Sequence, residues 1–166
     1  MTLTDTTAAS QTESLSFEFD LHHLPEKVWR ALTDPALIAL WGMRAEGFST
    51  APGTRFKFFG APNRAWRGYI ECEMLEAREP TLLRYTWVDS DQGKPTFVSW
   101  ALAPHAGGTR LTFEHTGFQG VSGFLLATLV MGPGHRKILR QALPALLADL
   151  DETGHLRPES SLEPRF

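Results

Sequence analysis

At 166 residues, with 16 Lys plus Arg against 19 Asp plus Glu, the chain has the length of one ordinary domain and a formal charge of -3. That balance provides neither a basic stripe for nucleic-acid phosphates nor an acidic block for a basic partner. The single cysteine, Cys72, excludes an internal disulfide and a cysteine-based zinc cage, and so fits a reducing cytoplasm.

Residues 1–13 are polar, carry acid rather than base and lack the apolar stretch of a secretory signal, which predicts a disordered leader before a single domain over 14–151. In SLSFEFDLHH, Leu15, Phe17, Phe19 and Leu21 alternate with polar residues, the pattern of a strand, with Phe17 expected as an ordinary core residue. The stretch LPEKVWRALTDPALIALWGM then places Pro25 in a first helical turn and Val28, Trp29 and Leu32 at helical spacing. Asp34-Pro35 stops that helix and caps a second one. From residue 44 onward the runs TRFKFFG, WRGYIECEMLEA, LLRYTWVD, TFVSWALAP and GTRLTFEHTG alternate as strands. The turn clusters between them, EPT, DSDQGKP and PHAGG, are short enough to predict antiparallel neighbours.

GVSGFLLATLVMGPGH is too apolar for a solvated loop; it reads as a short helix closing a cavity, or as a face buried against a second copy of the chain in a homodimer. Its apolar run at 123–132 is about half of the ~20 residues needed to span a bilayer, which speaks against a membrane role. GHRKILRQALPALLADL aligns Leu139, Leu143, Leu146, Leu147 and Leu150 on one face of a long amphipathic helix. Pro144 inside it removes the hydrogen bond to residue 140 and predicts a bend. Residues 152–166, polar and without periodicity, read as a mobile tail.

This order predicts an α+β domain in which a curved antiparallel sheet wraps around the C-terminal helix, with two short helices after the first strand. Its inner wall would be rich in aromatics. Full burial of one large apolar side chain stabilises by ~1.5–3 kcal/mol, so core packing alone accounts for most of them.

Three stretches, PEKVWRALTDPALIALW, the YTW at 85–87 and GTRLTFEHTGF, occur in the order seen in one family. Over about residues 15–150 the chain resembles the activator-of-heat-shock-protein-90-ATPase homologues of the START-like, or SRPBCC, superfamily. The resemblance implies a helix-grip fold with an elongated cavity between sheet and C-terminal helix. It also brings a contact with a chaperone into view, although chaperone activation belongs to larger members. Two departures stand out: Glu79-Pro80 replaces a double proline, and His135 stands where a Trp often opens the last helix, at the cavity mouth.

His115 is the third inward residue after Leu111 and Phe113. It can be a core histidine fixing the turn at Gly117, a polar anchor for a small ligand together with Tyr85, or a general base with Tyr85 as the acid. Glu114 points to the opposite face and cannot assist. The expected ligand-binding wall consists of Phe56, Phe58, Met74, Tyr85 and Trp87 on the earlier strands. Trp100, Phe113 and His115 follow on the later strands, with His135 and Leu139 from the last helix. His22 and His23 are adjacent and point apart, and no helical HxxxH or HxxE pair occurs, so no metal is expected. No GxSxG elbow or phosphate loop is present, and no cofactor is implied.

The expected function is therefore binding of a small apolar or aromatic molecule. Two alternatives stand beside it: a chaperone-associated or stress-response protein acting through its surface, and a cyclase-like or hydrolase-like enzyme using His115 and Tyr85.

Overall fold

Alternation decides the first strand: in β1 (Thr12–Leu21) Leu15 and Leu21 are buried and Phe17 and Phe19 half-buried, while Ser14, Ser16, Glu18 and Asp20 face outward. The structure is a computed structural model and describes residues 12–164 apart from 63, 65, 92 and 120–136. The first strand begins at Thr12, two residues earlier than expected. Phe17 is not an ordinary core residue, because β1 lies at the sheet edge; its ring stacks on Phe113 with centroids 6.1 Å apart.

Two short helices follow, α1 (Pro25–Thr33) and α2 (Pro35–Trp41), each opened by a proline whose missing N–H costs nothing in a first turn. Asp34 separates them, its Oδ1 accepting from the Ala36 N–H at 3.0 Å. Trp41 donates from Nε1 to the Ala31 carbonyl at 2.8 Å and so locks α2 to α1.

The remaining strands are β2 (Arg44–Glu46), β3 (Arg55–Phe59), β4 (Tyr69–Arg78), β5 (Leu82–Trp87), β6 (Thr96–His105) and β7 (Gly108–Gln119). They form one antiparallel sheet in the order β1-β7-β6-β5-β4-β3-β2. Short connections give every neighbouring pair except β1 and β7, which the register joins through Leu15 with His115 and Phe17 with Phe113. The entry of β7 needs a glycine: a Cβ on Gly108 would lie 2.1 Å from the Leu21 carbonyl oxygen.

The apolar face of the sheet is covered by α1, α2 and the C-terminal segment, where Leu143, Leu146, Leu147 and Leu150 are completely buried. That segment departs from the single long helix of the sequence reading. Among the described residues it is one π-helical turn (Ile138–Ala142) leading into α3 (Leu143–Asp149). Pro144 supplies the reason. It has no N–H for the Arg140 carbonyl, and the Leu143 N–H reaches back five residues to the Ile138 carbonyl, so the chain widens by one residue before resuming an α-helix.

The stretch expected as a mobile tail folds back on the domain. Leu150 and Leu156 pair as an antiparallel bridge, the Arg157 N–H donates to the Asp149 carbonyl at 2.9 Å, and Arg30 donates from Nε to the Gly154 carbonyl at 2.9 Å. Leu162 packs against the core beyond them. The apolar segment 121–132, read as a lid or dimer face, lies outside the described residues.

Candidate functional site

Strand register builds the inner wall row by row. One row runs Met74, Tyr85, Val98, His115, Leu15; the next runs Leu83, Trp100, Phe113, Phe17. Phe56 and Phe58 of β3 close on the same face, with ring centroids 5.4 and 5.9 Å from Tyr85. Trp87 links Phe58 at 6.2 Å to His115 at 5.3 Å, and Trp100 lies 4.6 Å from Phe113. The structure thus places Phe56, Phe58, Met74, Tyr85, Trp87, Trp100, Phe113 and His115 on one continuous surface. Leu139 of the π turn is buried in the same core, and His135 lies outside the described residues.

His115 is fully buried, with Nε2 2.7 Å from Thr96 Oγ1. The same hydroxyl lies 3.1 Å from the Trp87 carbonyl, which can only accept. The one hydroxyl proton is therefore used on Trp87, and His115 donates through Nε2–H to the Thr96 oxygen. This chain from strand pairing to tautomer was invisible in the sequence, because Thr96 stands 19 residues away and only the register brings it to His115.

Tyr85 accepts a hydrogen bond from Trp100 Nε1 at 3.0 Å. Burial pushes its pKa well above the ordinary phenol value, against the opposing effect of the Trp100 bond, so the group is a neutral phenol. Tyr85 and His115 are separated in their row by Val98, two strand spacings of ~4.7–4.9 Å, so their backbones stand roughly 10 Å apart. Each has a different hydrogen-bond partner, Thr96 for His115 and Trp100 for Tyr85, and they do not form a directly bonded acid–base pair. Burial likewise pushes the Cys72 thiol up, away from the thiolate a reactive cysteine needs.

A second feature escaped the sequence reading. Between the end of β1 and the π turn lies a cleft of about 260 Å³, lined by the apolar Phe19, Leu21, Leu139 and Pro144 and by the polar Asp20, His22, His23 and Arg140. Behind it, Lys27 is buried and donates from Nζ to the Leu150 carbonyl at 2.9 Å, with His23 Nδ1 at 3.0 Å. Burial lowers the Lys27 pKa, reinforced by Arg157 and opposed by Asp151 and Glu152. Burial also lowers that of His23, with Lys27 and His22 adding to the effect. The available signal was the spacing of His23 and Lys27, four residues apart where the chain enters α1.

Among the described residues no group of three or more His, Cys, Asp or Glu side chains converges as a metal site, and no helix is long and apolar enough to cross a membrane.

Comparison with known proteins agrees with this architecture. Protein MLL2253 from Mesorhizobium loti is 31% identical, with a TM-score of 0.70 over 84% of this chain and 99% of its own. A Rhodobacter sphaeroides protein is 24% identical, with a TM-score of 0.67 over 83% of this chain and 93% of its own. CalU16 from Micromonospora echinospora shares the fold at 22% identity, with a TM-score of 0.66 over 89% of this chain and 79% of its own. No curated protein matches the sequence. The sequence profile described as "Activator of Hsp90 ATPase homolog 1-like protein" matches residues 22–147, most of the domain that carries the sheet, the aromatic wall and the π turn, and the chain belongs to that family.

Proposed function

We propose that the chain binds a small apolar or aromatic molecule between the inner face of its sheet and its C-terminal helix. The observation that carries this reading is the pairing of two buried polar groups, His115 and Tyr85, with an otherwise aromatic wall. Few, fixed polar atoms on an apolar surface are the composition of small-molecule sites. His115 contributes a polar ring and Tyr85 a neutral phenol hydroxyl, while Trp87 and Phe58 contribute aromatic rings for a flat partner. Membership of the family supports a ligand-binding fold, although fold alone does not name a ligand.

The test is a fluorescence titration, read through the tryptophans, with flat aromatic compounds, sterols and fatty acids, on wild type and His115→Ala. Saturable quenching by an aromatic compound, weakened about five- to tenfold in the variant, is the expected result, since a hydrogen bond contributes ~1 kcal/mol. No saturable change with any class would overturn the proposal and favour a protein acting through its surface. Turnover of a bound compound that is lost in both His115→Ala and Tyr85→Phe would establish the enzymatic alternative instead.

A further inference from the structure

The cleft beside the π turn is separate from the aromatic wall and has a chemistry of its own. Lys27 fixes one end of it. An ammonium group only donates, so His23 Nδ1 must accept, and the proton of the neutral ring is carried on Nε2. The backbone of His23 is pinned as well, since the buried Thr109 donates from Oγ1 to its carbonyl at 2.7 Å. The imidazole is thus held as a donor by its contact with Lys27, on a backbone anchored by Thr109, and His23 lines the cleft.

Arg140 supplies a second donor. It comes from the π turn and is exposed, and its side chain has no hydrogen bond or ion pair among the described residues. Asp20, the one carboxylate in the cleft, is already neutralised: Arg110 holds it with Nε at 2.9 Å and Nη2 at 3.3 Å. The buried Lys27 adds positive charge behind His23. Phe19, Leu21, Leu139 and Pro144 supply the apolar part of the cleft's lining. A space of about 260 Å³ lies just under the ~300–1,000 Å³ of pockets for drug-sized ligands, so its occupant is small.

We propose that this cleft binds small organic monocarboxylates, with the carboxylate between Arg140 and His23 Nε2–H and the apolar body against Phe19, Leu139 and Pro144. The guanidinium fork suits a carboxylate, and the site does not depend on the aromatic interior being occupied.

The probe is 1-naphthoate, with neutral 1-naphthamide as its near-isostere, followed by calorimetry and by the imidazole NMR signals of the histidines. Arg140 is exposed, so Arg140→Gln leaves the fold intact. Naphthoate is expected to bind at least tenfold more tightly than the amide and to shift the signals of His22 and His23 but not that of His115. Arg140→Gln should remove most of that preference. Equal affinity for acid and amide, an unchanged affinity in Arg140→Gln, or shifts confined to His115 would each overturn the proposal. Absence of naphthoate binding at millimolar concentration would do the same.

Discussion

Several buried polar atoms have defined partners, and these pairings can be tested one at a time. Trp100 Nε1 is buried and donates to Tyr85. Tyr85→Phe leaves that donor without its acceptor while conserving the ring, so we expect a loss of ~1–3 kcal/mol in urea unfolding. No measurable loss would mean that the indole finds another acceptor. Asp151 offers a pH test. Its Oδ1 accepts from the Thr153 hydroxyl at 2.6 Å, the Thr153 N–H at 2.9 Å and the His155 N–H at 3.0 Å, which holds its carboxyl near a pKa of about 2. Because the folded value lies below the ordinary 3.8, the contribution is present above pH 3.8 and fades as the pH falls through about 2. A carboxyl NMR titration should show Asp151 titrating near 2; a midpoint near 3.8 would mean that the turn does not form in solution. At this scale the sequence was partly legible. Alternation in GTRLTFEHTGF placed His115 inward, but its hydroxyl partner required the register of β6 on β7.

Elements were legible where their period was clean. The runs from TRFKFFG to GTRLTFEHTG became β3 to β7 because each alternates and ends in Pro or Gly turns. The C-terminal helix was legible in its buried face and not in its geometry. Leu139, Leu143, Leu146 and Leu147 are buried as a helical stripe demands, yet a proline inside a helix can be met by a bend or by a π turn, and the pattern does not distinguish them. Position in the sheet also modifies what alternation implies. Phe17 and Phe113 are paired across β1 and β7, but Phe113 is 2% exposed on an inner strand whereas Phe17 is half-buried at the edge. We therefore expect Phe113→Ala to cost ~3–5 kcal/mol and Phe17→Ala clearly less, about half as much. Equal losses in denaturant unfolding would place β1 deeper than the sheet order implies.

The described residues form a seven-stranded antiparallel sheet gripping α1, α2 and the C-terminal segment, and the order of elements was enough to anticipate that layering. Composition misjudged the chain after Leu150. That stretch lacks periodic apolar residues because it is attached by backbone pairing and by Arg30 rather than by an amphipathic face. Ending the chain at Leu150 should accordingly lower the melting midpoint by several degrees, since the bonds of Arg157 and Ser160 to Asp149, that of Arg30 to Gly154 and the packing of Leu162 are lost. An unchanged midpoint would return that stretch to the role of a tail. The two candidate sites lie in different parts of this architecture: the aromatic wall on the sheet face, and the cleft where the edge strand meets the π turn.

The central claim, that the aromatic interior accepts a small molecule, is tested most directly by thermal unfolding of the full chain with and without flat aromatic compounds. At a concentration of 100 times its dissociation constant a ligand stabilises the folded state by ~2.7 kcal/mol, which for a domain of this size raises the midpoint by roughly 5–10 °C. A rise of that order is expected with at least one such compound, reduced in His115→Ala relative to that variant's own midpoint. An unmoved midpoint across the panel, at concentrations up to solubility, would contradict it and return His115 and Tyr85 to the packing of the core.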